Sequence, residues 1–280
     1  MEAAAVRRVT GEFEGAGGVK LFRRSWLPEG EACAAVALVH GYAEHSGRYD
    51  WAATRLAEAG YAVHGYDLRG HGQSDGPRVL VRSFNQHLGD LDRLLSLVRT
   101  EQGSAPFLFG HSMGGTIVAL SLVNRQPEVR GAILSGPGLV GPRGGLRLMA
   151  RLFALIGRVR PTMGVRRLAA SGVSHDPQVV AAYEADPLNY HGKIPAGTLR
   201  AMLRATGRIQ ARMQTIDVPL LLLHGSADEL TSPEGSRQLY ARASSKDKTL
   251  KLYDGLAHEV LNEPEKEQVL ADLLAWLGAH

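Results

Sequence analysis

One serine in this sequence stands where a catalytic nucleophile would be placed. A short apolar run at 107–109 leads into Gly110-His111-Ser112-Met113-Gly114, and an apolar helical segment begins at Thr116. The pattern G-x-S-x-G between a strand and a helix is typical of a nucleophile elbow, which holds the serine on a strained turn at the positive end of the helix. The two glycines fit a point where strand and helix pass too close for a Cβ atom. We therefore predict that Ser112 is a nucleophile.

A serine hydroxyl needs a base to take its proton and a carboxylate to orient that base. Asp228 follows a predicted strand at 220–225, and His258 follows a predicted strand at 248–253. Both therefore belong to the sheet edge that carries Ser112, where ligands collect in open α/β sheets. We predict His258 as the general base and Asp228 as its orienting acid. Asp254 and Glu259 are nearer to His258 in sequence, but residues so close along a strand end point elsewhere or into solvent.

An acyl-transfer site also needs two donors for the tetrahedral oxyanion. The backbone N–H of Met113 is one candidate, and the N–H of Tyr42, in the loop after a strand at 34–40, is the other. We expect His111 to point away from Ser112. Three further histidines stand beside glycines after strands and are expected to be structural, although the first could support the oxyanion loop: His40, His71 and His224.

The elements that must position these residues alternate between strands and helices. Continuous apolar runs predict buried strands at 34–40, 61–67, 107–111, 129–135 and 220–225, and residues 9–27 predict a hairpin at a sheet edge. Helices are expected at 50–59, 83–103, 233–243 and 263–277, with Ser83 as an N-cap. The alternation predicts an α/β fold with a mostly parallel sheet and helices on both faces.

That alternation stops between about 140 and 213. This segment contains five prolines, several helical patches and no convincing strand. We interpret it as an inserted helical cap, so that residues 1–139 and 214–280 form the two halves of an α/β-hydrolase core. Metal and cofactor sites are not expected, because the predicted chemistry needs neither.

The composition argues against several classes of protein. The chain has 280 residues with 32 Lys and Arg against 28 Asp and Glu, and its net charge is +4. The basic residues are scattered, so nucleic-acid binding is not expected. No apolar run is long enough to span a membrane, and the first residues do not resemble a secretory signal. The single cysteine, Cys33, suits the cytoplasm, and its place at the start of an apolar strand predicts a buried, inert thiol.

Six segments of this sequence resemble motifs of the monoacylglycerol lipase family of α/β-hydrolase fold serine hydrolases, its bacterial members above all. They read HGYAEHSGRY (40–49), DLRGHGQS (67–74), GHSMGG (110–115), YEADPL (183–188), LHGSAD (223–228) and YDGLAHE (253–259). The resemblance implies cleavage of monoacylglycerols to a fatty acid and glycerol without a cofactor. It implies that Glu44 and Arg48 receive the glycerol head group and that Tyr183 lies near its exit. A local ion pair that holds the loop is the alternative for Glu44 and Arg48. Tyr42 stands where some relatives have a small residue. This difference affects the expected shape of the entrance for the acyl chain, but not the backbone N–H that would bind the oxyanion.

The first helical patch of the predicted cap, 146–159, is apolar almost all round apart from a stripe formed by Arg147, Arg151 and Arg158. A helix of this kind must bury two faces. One face can line an acyl tunnel, and the other can meet the cap, a partner subunit or a lipid surface. Peripheral membrane contact through the cap is therefore expected, with packing inside the cap as the alternative. The sequence does not predict an oligomeric state.

Other functions remain open at this point. A lysophospholipase or a broad carboxylesterase would use the same three residues. An aminopeptidase would need a carboxylate pair for the substrate amine, which the cap sequence does not offer. A ligand-binding protein on the same fold would be expected to have lost part of the machinery, whereas Ser112, Asp228 and His258 are all present.

Overall fold

The computed structural model describes residues 5–141 and 145–280, except for the side chains of 145–147. Eight strands form one sheet: β1 (Arg7–Glu14), β2 (Lys20–Leu27), β3 (Ala34–Val39), β4 (Tyr61–Tyr66), β5 (Phe107–His111), β6 (Gly131–Ser135), β9 (Leu220–Gly225) and β10 (Lys248–Tyr253). A separate pair consists of β7 (Gly164–Arg167) and β8 (Lys193–Pro195). The order in the large sheet is β1-β2-β4-β3-β5-β6-β9-β10. The strands from β4 to β10 run parallel and the β1–β2 hairpin is antiparallel at one edge, which confirms the predicted fold class.

Helices cover both faces of the sheet, because successive residues of a strand point to opposite faces. In β3, Ala37 and Val39 pack into one apolar cluster, and Val36 and Leu38 pack into the other. The first cluster includes α2 (Phe84–Gln102), α3 (Met113–Asn124), α6 (Ala196–Arg212) and α7 (Pro233–Arg242). The second includes α1 (Asp50–Glu58) and α8 (Lys266–Gly278).

The ends of α2 follow the signals in its sequence. Ser83, just before the helix, accepts a hydrogen bond from the N–H of Asn85 on its side-chain oxygen at 3.3 Å. Gly103, just after it, adopts φ +69°, and its N–H donates to the Arg99 carbonyl at 2.9 Å. Both are ordinary ways to satisfy the end groups of a helix.

The segment between β6 and β9 leaves the sheet and contains α4 (Gly145–Val159), α5 (Pro177–Ala185) and α6. The expectation that it holds no strand is wrong, because β7 and β8 pair antiparallel. Strands of three and four residues are too short to show a period of two in the sequence. Pro142 and the residues beside it, at the start of the predicted cap, lie outside the described residues.

Two further expectations are corrected. Cys33 is exposed rather than buried, because the fully buried part of the strand begins one residue later, at Ala34. The basic residues are also not scattered evenly. Residues 140–213 hold 12 of the 32 Lys and Arg but only 3 of the 28 Asp and Glu. In the described part of the chain, no helix has the length and apolar character needed to cross a membrane.

Candidate active site

The turn between β5 and α3 holds Ser112 in a strained backbone conformation. Its φ of +53° is one that residues with a Cβ rarely adopt. A Cβ on Gly110 would lie 2.6 Å from the carbonyl oxygen of Gly114, and a Cβ on Gly114 would overlap that of Val39. The Ser112 N–H donates to the Ser135 carbonyl at 2.9 Å, which fixes the turn to the end of β6. The two glycines therefore allow the close passage of strand and helix that the sequence indicates.

The loops after β9 and β10 bring Asp228 and His258 together. Asp228 Oδ2 lies 2.6 Å from His258 Nδ1, and both side chains are buried. The alternative acid Asp254 is exposed and bonds the Ser226 hydroxyl at 3.1 Å. Of the carboxylates weighed from the sequence, Asp228 is therefore the one that can orient the imidazole.

The Asp228 carboxylate is held by several donors. Its Oδ1 accepts from the backbone N–H groups of Leu230 and Thr231, each at 2.8 Å. The Thr231 hydroxyl lies 2.8 Å from Oδ2. Burial alone would raise the pKa of Asp228, but hydrogen bonds from His224 and His258 outweigh it and hold this pKa well below the usual range. Asp228 is therefore a fixed anion at neutral pH.

The ring of His258 lies at the end of β6, beside the elbow. A Cβ on Gly136 would lie 3.1 Å from His258 Nδ1, and the neighbouring Ser135 accepts the Ser112 N–H. His111, which is expected to point away from Ser112, packs against His258, and the two ring centres lie 4.6 Å apart. Burial, together with the nearby His258, lowers the pKa of His111 to about 4. His111 is therefore a neutral neighbour of the His258 imidazole, and the elbow motif alone does not reveal this contact in the sequence.

The predicted oxyanion donors have free N–H groups. Met113 is the first residue of α3, where the N–H groups have no partner within the helix. Neither its N–H nor that of Tyr42 donates to any residue that the structure describes. The loop around Tyr42 is fixed from the cap side, where the Tyr190 N–H donates to the Ala43 carbonyl at 2.9 Å. Ala43 itself has φ +66°.

His40 also holds the loop around Tyr42 in place. Its Nε2 accepts from the Leu68 N–H at 2.8 Å, so Nδ1 carries the proton and donates to the Gly41 carbonyl at 2.8 Å. Burial lowers the pKa of His40 to about 4, which keeps the ring neutral. The expected structural role of His40 in the loop agrees with these contacts.

The three residues expected at the polar end of the site contact one another. Glu44 accepts from the Gly41 N–H at 2.5 Å and the Tyr49 hydroxyl at 2.8 Å, and pairs with Arg48 at 2.8 Å. The guanidinium of Arg48 lies 4.7 Å from the ring centre of Tyr183 in α5. Glu44 therefore has a full set of partners within the loop.

Glu259, weighed in the sequence as an acid for His258, has a different partner. It forms a bidentate pair with Arg48, at 2.5 and 2.8 Å, and both side chains are almost fully buried. Burial would raise the pKa of Glu259, but Arg48 outweighs it and lowers that pKa. The partners are 211 positions apart in the chain, which explains why the sequence does not reveal this pair.

The arrangement of these residues supports acyl transfer. What the geometry offers is a strained serine at a helix N-terminus, a buried imidazole–carboxylate pair and two free N–H groups.

Comparison with known proteins places the chain among its relatives. A family model described as "Serine aminopeptidase, S33" matches residues 30–265. The chain is 40% identical over 269 residues to the monoacylglycerol lipase of Mycolicibacterium smegmatis, covering 96% of each chain. It is 35% identical over 267 residues to the monoglyceride lipase of Rattus norvegicus, covering 94% of this chain and 88% of the relative.

Solved structures agree with these sequence comparisons. The crystal structure of Paleococcus ferrophilus monoacylglycerol lipase matches with a TM-score of 0.81 and 30% identity, covering 99% of each chain. Because these alignments cover nearly the whole chain at 30–40% identity, they reflect more than a shared fold. The chain therefore belongs to the monoacylglycerol lipase family of α/β-hydrolase fold serine hydrolases.

Proposed function

We propose that this protein is a serine ester hydrolase that cleaves monoacylglycerols to a fatty acid and glycerol. The observation that carries the proposal is the strained elbow of Ser112, with the free N–H of Met113 beside it and the His258–Asp228 pair at the same sheet edge. The substrate class is supported by the 40% identity to the mycobacterial monoacylglycerol lipase.

The reaction proceeds in two acyl transfers. Ser112 Oγ attacks the ester carbonyl while its proton passes to His258 Nε2, and Asp228 stabilises the imidazolium through Nδ1–H. The N–H groups of Met113 and Tyr42 receive the oxyanion. The tetrahedral intermediate then expels glycerol, which takes the proton from His258. Water repeats the sequence on the acyl-enzyme, with His258 again as base, and releases the fatty acid and the free Ser112 hydroxyl.

The polar end of the site is proposed to consist of Glu44, Arg48 and Tyr183, next to the oxyanion loop. Because Glu44 is fully bonded to Gly41, Tyr49 and Arg48, we assign it the task of holding the loop rather than of binding glycerol directly. Arg48 and the Tyr183 hydroxyl are then the groups proposed to face the glycerol head.

The same contacts argue against an aminopeptidase, despite the name of the family model. That activity needs free carboxylates for a substrate amine. Among the buried carboxylates near the loop, Glu44 and Glu259 are paired with Arg48, and Asp67 accepts hydrogen bonds from Ser46 and Gln73. An ester substrate, which carries no cation, fits these residues better.

The proposed cap, residues 140–213, has an apolar face suited to a lipid surface. Five of the seven exposed large hydrophobic residues found in the described chain lie on α4: Leu148, Met149, Leu152, Leu155 and Val159. At about 100° per residue, they face away from Ala150 and Gly157, which are buried against the protein. Arg151 and Arg158 are exposed along one flank, and α4 contains no acidic residue. We therefore propose peripheral contact of α4 with membranes that contain anionic lipid.

The activity is tested by comparing turnover of monoolein, lysophosphatidylcholine and a short p-nitrophenyl ester. We expect monoolein to be preferred, and Ser112→Ala to remove nearly all turnover of each substrate while the fold is retained. A fluorophosphonate probe should label Ser112 of the wild-type protein. Preference for lysophosphatidylcholine would favour the lysophospholipase alternative, and absence of labelling would favour a binding protein.

The contact with lipid is tested on neighbouring residues of α4. Leu152 is exposed, whereas Phe153 is half-buried and is proposed to face the acyl channel. Leu152→Glu should weaken hydrolysis of vesicle-bound monoolein and spare a monomeric medium-chain substrate. Phe153→Glu should reduce hydrolysis of long chains more than that of a short ester. Val9→Glu, at an exposed apolar residue of β1, is the matched control. Equal losses on all substrates in both folded variants would show that α4 has neither role.

A further inference from the structure

A second histidine contacts the carboxylate that orients His258. His224, in β9, lies with Nε2 3.1 Å from Asp228 Oδ2, the same oxygen that receives His258 Nδ1 at 2.6 Å. Both the His224 ring and the Asp228 carboxylate are fully buried. From the sequence, His224 is expected to be only structural.

The surroundings of His224 fix the position of its proton. Three oxygens lie near Nε2: Asp228 Oδ2, the Thr231 carbonyl oxygen at 3.3 Å and the Thr231 hydroxyl oxygen at 3.4 Å. The first two can only accept a hydrogen bond. The proton of a neutral ring therefore sits on Nε2, and Nδ1 is left to accept from the Ser236 hydroxyl at 2.8 Å. A chain of donors thus runs from Ser236 in α7 through His224 to Asp228.

We propose that His224 is a positioning residue, which holds Asp228 Oδ2 toward His258. The inference rests on the proposed function, since it assigns a part in the same reaction. His224 touches neither substrate nor reacting atoms and acts only through Asp228. Without it, Oδ2 would keep the His258 and Thr231 contacts but lose a buried donor, and the carboxylate would be held less firmly toward His258.

The loss of that donor has a defined effect on the pH profile. A carboxylate with fewer donors binds the proton of the His258 imidazolium more tightly, so the base stays protonated to higher pH. The acidic limb of the kcat/KM profile should therefore move to higher pH. The other titratable groups around this pair include His224 itself and His111, which packs on the His258 ring and is held neutral by burial. The carboxylates of Glu44 and Glu259 also act on His111, and both are paired with Arg48.

The test compares three variants with the wild-type protein on a short p-nitrophenyl ester. We expect His224→Leu to lower kcat at least about tenfold, because a hydrogen bond to a charged group is lost, and to leave KM nearly unchanged. His224→Gln, whose amide can donate to Asp228, should recover most of kcat and the wild-type acidic limb. Ser236→Ala, which removes the donor to Nδ1, should produce a smaller change in the same direction.

A matched control separates positioning from packing. His64 in β4 is also a buried strand histidine with a serine partner, at 2.9 Å from Ser25, but it contacts no residue of the site. His64→Leu should lower stability in urea without changing the pH profile. If folded His224→Leu keeps wild-type kcat and profile, or if His224→Gln is as impaired as His224→Leu, the proposal is wrong. Wild-type protein that lacks ester turnover altogether would instead refute the proposed function.

Discussion

The protein should be much less stable at pH 5 than at pH 8, because several histidines are buried in neutral form. Burial lowers the pKa of five of them. The pKa is about 4 for His40, His64 and His111, and about 3 for His71 and His87. In the unfolded chain a histidine titrates near 6.5. Between these values the unfolded state binds more protons than the folded state, so stability falls as pH falls.

The size of the effect follows from these pKa values. A histidine whose pKa drops from about 6.5 to between 3 and 4 destabilises the folded state by about 0.8 kcal/mol at pH 6 and about 2 kcal/mol at pH 5. Five such groups lose on the order of 10 kcal/mol at pH 5, which is comparable to the whole stability of a typical domain. The lowered pKa values of Asp228 and Glu259 have the same sign but act at lower pH, where carboxylates titrate. We therefore expect acid unfolding to begin well above pH 4.

Urea unfolding at a series of pH values, followed by circular dichroism and tryptophan fluorescence, measures this dependence. His87 is fully buried on α2 beside Phe84, and His87→Leu removes one of the five groups. Whatever it costs at pH 8, this variant should lose about 2 kcal/mol less than the wild type on going to pH 5. His191→Leu, at an exposed histidine, is the control and should keep the wild-type slope. Equal slopes for the wild type and His87→Leu would refute the reasoning.

Two further predictions concern the site. Asp228→Asn should lower kcat on the order of 10⁴-fold in a steady-state ester assay, because it favours the wrong tautomer of His258. Asp254→Asn, at an exposed residue, should keep a kcat near that of the wild type. A greater loss of kcat in Asp254→Asn than in Asp228→Asn would show that the acid is misassigned. Arg48→Met leaves the buried carboxylates of Glu44 and Glu259 without a cation and should cost about 3–5 kcal/mol of unfolding free energy in urea. The control, Arg8→Met, breaks an exposed ion pair with Asp50 and should cost less than about 1 kcal/mol of unfolding free energy. Equal losses of stability in the two variants would contradict the argument.

The sequence predicts the core of the fold because its signals there are local. Buried parallel strands are continuous apolar runs, and helices such as α2 carry their own caps. The nucleophile elbow can be recognised in the sequence for the same reason, because Ser112 and its two glycines lie within five residues. Even the meeting of Asp228 with His258 could be predicted, because each follows a strand whose end lies at the same sheet edge.

What could not be predicted depends on contacts between distant segments. The Arg48–Glu259 pair and the packing of His111 on His258 form only when loops from several strands meet. His224 and Asp228 are close in sequence, but their contact depends on how the loop after β9 folds back onto the strand. The β7–β8 pair cannot be predicted for a different reason, because its strands of four and three residues span at most two periods of alternation.

The exposed thiol of Cys33 makes the molecule easy to orient. Cys33 precedes β3 at the amino ends of the parallel strands, whereas Ser112, Asp228 and His258 follow the carboxyl ends. A six-residue strand separates these two edges by about 20 Å. As the chain has a single cysteine, a maleimide would attach a dye or a solid support at one defined point. Protein immobilised in this way would present the edge that carries Ser112 to the solution.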